Sequence, residues 1–206
     1  MATITPTKPV TSPRQSEWIP SPRSLYRLSL EQYEAMISAG VFTKRDRLHL
    51  INGYLVARRT ELPPHGAACD ASNSSLGPLL PRGWYIRSGR VLKIPGYASM
   101  PEPDLVVVRG TWRDYKSRYP EPADTALVVE VAYSSLSADR AMAGIYGAGG
   151  VPVYWIVNLV ERQVEVYADP VPTGYGSRRI FKPGRRVPVV IAGVEVGRIR
   201  VADLLP

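Results

Sequence analysis

Two carboxylates stand where aliphatic strands should carry none. In LVVEVAYSSLSADR, Glu130 is enclosed by Leu127, Val128, Val129 and Val131. A run this aliphatic reads as a strand buried on both faces. An ionised carboxylate inside it is expensive unless it is paired or holds a metal. In PEPDLVVVR, Asp104 immediately precedes a second aliphatic run, with Glu102 two residues earlier. Residues i and i+2 of an extended chain share a face, so Glu102 and Asp104 point the same way. If the two runs are neighbours in one sheet, Asp104 and Glu130 converge at strand ends, where sites gather in α/β sheets. A few oxygen ligands with open positions suit a hard cation, Mg²⁺ or Mn²⁺. Such an ion polarises a phosphodiester and lowers the pKa of its bound water. The bland alternative for Glu130 is a salt bridge to a nearby arginine, or a solvent-facing place on an edge strand.

The elements that must position these acids follow from local signals. LSLEQYEAMISAG has Ser29 as N-cap with Gln32 three residues on, a capping box. Leu30, Tyr33 and Ile37 form a helical stripe and Gly40 supplies the stop, so a helix is expected over 30–39. Asn52-Gly53 between two apolar runs predicts a hairpin with strands near 47–51 and 54–59. Pro63-Pro64 is read as a break, followed by a second helix over His65 to Leu80. Strands are expected near 83–88, 90–94, 103–109 and 125–132, with a polar loop at TWRDYKSRYPEPAD. SLSADRAMAGIYGAGG predicts a helix near 136–148 ended by glycines, capped by Ser134 or Ser135. VPVYWIVN and RQVEVYAD are two more strands, and the remainder reads as short strands and a last helical turn. Strands outnumber helices and one strand–helix–strand unit occurs, so the fold class is α/β in the α+β sense, a mixed central sheet flanked by helices. Residues 1–24, rich in Pro, Ser, Thr and Arg, read as a disordered or loosely packed arm, and 25–206 as one domain.

Composition narrows the function classes. Lys and Arg number 26 against 18 Asp and Glu, a net charge of +8. This favours a polyanionic partner such as nucleic acid, with a solubilising basic surface as the alternative. No apolar run is long enough to span a membrane and the N-terminus has no secretory h-region. A single cysteine, Cys69, excludes an intrachain disulfide and fits a reducing, cytoplasmic location. There is no Gly-x-Ser-x-Gly elbow, no phosphate-binding glycine motif, and one Cys with two His leaves no Cys/His zinc cluster.

In their order, PEPDLVVVR, LVVEVAYSSLSADR, GVPVYWIVN and RQVEVY resemble the Uma-two family of restriction-endonuclease-like proteins, within the PD-(D/E)XK nuclease superfamily. LSLEQYEAMISAGVFTKRDRLHLINGYLV resembles that family's opening helix and hairpin, so the likeness spans residues 25–168. The resemblance implies a restriction-endonuclease-like fold and a site built from an Asp starting one strand, a Glu on the next and a nearby Lys. Asp104 matches the Asp and Glu130 the Glu, the pair that holds Mg²⁺. The lysine has no match. The simplest superfamily position, two residues after the Glu, is Ala132. The Uma-type position, beyond Asp139-Arg140, is Met142 or Ala143. Arg140 is the only cation on that segment and is expected to steady the phosphate, although a guanidinium does not transfer protons near neutral pH. Glu102 is expected to assist as an outer ligand or base. His49 and His65 match stretches where family members carry site groups, and each is read first as a structural histidine.

Arg87, Arg90, Lys93, Arg109, Arg113 and Lys116 either line a DNA groove or form a solvated face. Trp112 and Tyr115 either stack on bases or cover the sheet edge. The function expected from these readings is a metal-dependent endonuclease acting on nucleic acid, DNA by preference. The competing reading is a degenerate nuclease fold that binds nucleic acid without cutting it. The resemblance also leaves a homodimer open.

Overall fold

The computed structural model of the chain describes residues 21, 24–43, 46–58 and 62–206. The expected N-terminal arm lies almost wholly outside the described residues. Three α-helices are described: α1 (Leu30–Ser38), α2 (Pro63–Leu76) and α3 (Leu136–Ala148). The strands are β1 (Leu48–Ile51), β2 (Tyr54–Ala57), β3 (Trp84–Ser88), β4 (Leu105–Arg109), β5 (Thr125–Ala132), β6 (Val153–Asn158), β7 (Gln163–Val171), β8 (Gly174–Phe181), β9 (Arg186–Ile191) and β10 (Val194–Arg200).

The centre is a six-stranded mixed sheet in the order β3-β4-β5-β6-β7-β8. Only β5 and β6 run parallel, joined by the α3 crossover, and their other neighbours are antiparallel. Alternation along the strands separates two faces. Val106, Val108, Val128, Ala132, Tyr154 and Ile156 pack with Ala143 and Tyr146 of α3. Leu105, Val107, Leu127, Val129, Val131, Trp155 and Val157 pack with α2 and the β9–β10 hairpin. The strand around Glu130 is aliphatic throughout because both faces are covered. Gly147 lets α3 lie against the β7–β8 turn: a Cβ there would collide with the Gly174 carbonyl.

Several elements follow their local signals. The Ser29–Gln32 capping box forms in both directions and opens α1. Leu30 and Tyr33 are buried with Leu50 and Met100, while Ile37 of the same stripe is largely exposed. Asn52 and Gly53 take φ of 50° and 80° in the β1–β2 turn, the left-handed values that this turn demands. Arg59, the expected end of the second hairpin strand, lies outside the described residues.

Other elements depart from expectation. Pro63 and Pro64 do not break the chain but occupy the first turn of α2, where a missing N–H costs nothing. Residues 90–94 form no strand and make a single bridge, Ile94 to Ser99. The segment facing them carries Pro101 and Pro103. Leu92 donates to the Pro101 carbonyl, and proline has no N–H with which to return the bond. Edge strand β8, GYGSRRIF, is polar and mostly exposed, so it carries little of the periodicity that marks a buried strand. Ser135 starts α3 without a side-chain cap, and its hydroxyl donates instead to Asp139 at 2.5 Å.

Candidate functional site

The antiparallel β4–β5 pair brings the start of β4 beside the end of β5, with Leu105 opposite Val129. There the two acids clasp each other's strands. The backbone N–H of Asp104 donates to Glu130 Oε2 at 3.1 Å, and that of Val131 donates to Asp104 Oδ2 at 2.7 Å. Glu130 lies on the α3 face of the sheet, between Val128 and Ala132, and Tyr146 of α3 donates its hydroxyl to Oε1 at 2.9 Å. Burial, then the charges of Asp104 and Asp139, push the Glu130 carboxyl well above its ordinary value. The same surroundings push the Tyr146 and Tyr154 hydroxyls up, through burial first and the Glu130 charge second.

A cavity of about 510 Å³ opens over this clasp, lined by Asp104, Glu130, Glu102, Asp139, His49, His65 and Arg58 among others. Its size is that of an ordinary ligand cleft. The N-terminal turns of α2 and α3 and the β1–β2 hairpin wall it. Glu102 lines the cavity and is ion-paired with Arg58, the residue just after β2. His65, in the first turn of α2, sets Nε2 3.1 Å from Asp104 Oδ2, and Cys69 one turn later sets Sγ 3.6 Å from His65 Nδ1.

His49 also lines the cavity, and among the described residues its buried Nδ1 has no hydrogen-bond partner. Burial, and then the Arg58 charge, bring its imidazole down to about 4 from 6.5. The folded value lies below the unfolded one, so stability is full above pH 6.5 and falls as the pH drops toward 4. His49→Gln is expected to flatten that decline, read as urea-unfolding free energy across the same window.

The structure brings Asp104, Glu130 and Glu102 together but not Arg140. That guanidinium is held by Glu165, with its closest contact at 2.5 Å, and by Glu161 at 2.9 Å, and it does not line the cavity. The reason is helical geometry: adjacent residues project about 100° apart, so Asp139 faces the cavity while Arg140 faces β7. Among the described residues, the Lys or Arg that does line the cavity is Arg58, which sequence reasoning missed. Asp139 was noticed only as a positional marker, and His65 was read first as structural.

The residues of the expected basic cluster lie outside the cavity lining. Lys93 pairs with Glu34 at 2.7 Å. Arg109 lies over Trp84, and Arg113 and Lys116 over Trp112, all at or beyond the end of β4 opposite Asp104. Tyr115 packs with Val106, Val108 and Tyr85 on the α3 face of the sheet, its hydroxyl donating to the Arg109 carbonyl at 2.7 Å, while Trp112 is 57% exposed.

Comparison with known proteins identifies the family and the fold. The Uma2 family model, described as "Putative restriction endonuclease", matches residues 30–201. Among solved structures, the chain is similar to one described as a "putative nuclease belonging to DUF820" from Anabaena variabilis ATCC 29413. The TM-score is 0.64 at 15% identity, over 86% of this chain and 97% of that one. At that identity the likeness is one of fold. None of the curated proteins matches the chain. No helix among the described residues is long and apolar enough to cross a membrane.

Proposed function

Since the chain belongs to the Uma2 family of restriction-endonuclease-like proteins, we propose that it is a metal-dependent endonuclease hydrolysing phosphodiester bonds of nucleic acid, DNA by preference. The observation that carries this reading is the clasp of Asp104 and Glu130 at the floor of the cavity. The donors fit a hard divalent cation. Three carboxylates, Asp104, Glu130 and Asp139, crowd one space, and the first and third raise the pKa of the second. A cation relieves that repulsion. Asp104 and Glu130 would hold Mg²⁺ or Mn²⁺, with Glu102 as an outer partner. When bound, the ion supplies Lewis-acid polarisation of the phosphate and a more acidic water.

The chain's own groups set the geometry. The Val131 N–H fixes Asp104, and the Tyr146 hydroxyl fixes Glu130. Arg58, anchored by Glu102, brings positive charge to the phosphate from the hairpin, in place of the absent lysine. The net charge of +8 favours approach of a polyanion. Arg58→Ala is expected to slow cleavage by about 10²–10³-fold, the usual cost of one charge-stabilising donor. Plasmid-nicking kinetics check this.

A second reading, binding without cleavage, draws on Ala132, Met142 and Ala143 at the positions where a lysine is usual. Supercoiled plasmid incubated with the protein in Mg²⁺ or Mn²⁺, beside a chelator control, separates the two. Metal-dependent nicking supports the enzyme. Retained DNA binding with no nicking in either metal overturns it in favour of the second reading.

A further inference from the structure

Two side chains beside the clasp, His65 and Cys69, have a chemistry that the nuclease reading does not use. His65 and Cys69 stand four residues apart on α2, so both side chains leave the same helix face. Cys69 Sγ lies 3.6 Å from His65 Nδ1. A tetrahedral zinc with Zn–S of about 2.3 Å and Zn–N of about 2.0 Å places its sulfur and nitrogen about 3.5 Å apart. Asp104 Oδ2 lies 3.1 Å from the other ring nitrogen, Nε2, and one ligand atom from each of the three residues falls within 4.8 Å of the other two.

We propose that His65, Cys69 and Asp104 form a second metal position, selective for a thiophilic or borderline divalent ion such as Zn²⁺ or Co²⁺ rather than Mg²⁺. A thiolate and an imidazole are poor ligands for Mg²⁺ and good ones for Zn²⁺ and Co²⁺. Three protein ligands with one open place are what an accessible zinc position requires. Asp104 belongs to both positions, so an ion held by Cys69 draws this carboxylate away from Glu130. Micromolar Zn²⁺ therefore antagonises Mg²⁺-dependent cleavage. This consequence rests on the nuclease reading, whereas the metal position itself does not.

The test is a Co²⁺ titration of the tag-free protein, followed by near-ultraviolet absorption. Thiolate ligation gives a sulfur-to-cobalt charge-transfer band, and with one cysteine in the chain any such band reports Cys69. The expected result is a saturable one-to-one band that Zn²⁺ displaces, that Cys69→Ser abolishes and that Glu130→Gln retains. Cys69→Ser should also weaken Zn²⁺ by more than the about 10–100-fold that an outer-shell partner costs. Absence of the band in the unaltered chain overturns the proposal, as does a band that survives Cys69→Ser. The outcomes stay distinguishable from those of the nuclease reading. A band without plasmid nicking sinks the nuclease and keeps the metal position, and nicking without a band does the reverse.

Discussion

Asp104→Asn and Glu130→Gln are each expected to reduce metal-dependent plasmid cleavage by at least about 10²–10³-fold, with the fold retained. Each removes half of the charge that holds the cation. Neither should unfold the chain, because the amides can keep the hydrogen bonds. In Glu130→Gln, the amide oxygen can accept from the Asp104 N–H, and the amide nitrogen can donate to the Tyr146 hydroxyl, which rotates to accept. The glutamate charge is itself disfavoured by burial and by Asp104 and Asp139. Melting temperature should therefore rise in Glu130→Gln while cleavage falls, the trade expected of a group kept for chemistry. Nicking assays and thermal unfolding on the same preparations check both. Cleavage persisting at the unaltered rate in either variant would remove the acid pair from the mechanism.

The second large effect concerns stability. Glu165 of β7 is fully buried and accepts from Arg140, Arg178, Asn158 and Tyr167. Burial alone would raise its pKa, yet these donors bring it down to about 2. Removing both arginines, Arg140→Ala with Arg178→Ala, leaves a buried carboxylate with neutral donors and no cation, and should cost about 3–5 kcal/mol. For a chain of this size that lowers the melting temperature by on the order of 10 °C. Arg140→Ala alone should cost less, because Arg178 remains at 2.7 Å. It should leave cleavage unchanged below the transition, unlike Arg58→Ala. The pH dependence has a definite sign. The folded pKa lies below the ordinary 4.5, so the contribution is complete above that value and is lost as pH falls toward 2. Glu165→Gln should abolish this acid-side decline, worth on the order of 3 kcal/mol, in urea titrations across that window.

The difference between Arg140 and Arg58 shows where sequence reasoning stopped. Arg140 was the sole cation on the right segment, so it was assigned to the phosphate. Its direction depends on which face of α3 meets the sheet. Glu165, 25 residues later in the chain, claims it. Arg58 reaches Glu102 across 44 residues because the β1–β2 hairpin folds over the start of β4. Neither fact has a local signature. The metal trio escaped for a related reason: counting cysteines and histidines found no zinc cluster, and the third ligand, Asp104, arrives from another element. The strand expected at 90–94 failed because its facing segment carries prolines, a property of the partner rather than of the run itself.

What the sequence determined by itself was whatever depends on neighbours along the chain. The Ser29–Gln32 box, the Asn52-Gly53 turn, the β5–α3–β6 unit and two acids at aliphatic strand ends all have local causes. Fold class and the Asp104–Glu130 pair were legible for that reason. Tertiary structure alone decided which cation faces the acids, which histidines approach them and which carboxylate is spent on holding α3 to β7. Those choices turn on side-chain direction and on contacts between distant segments, which are set only when the helices dock on the sheet.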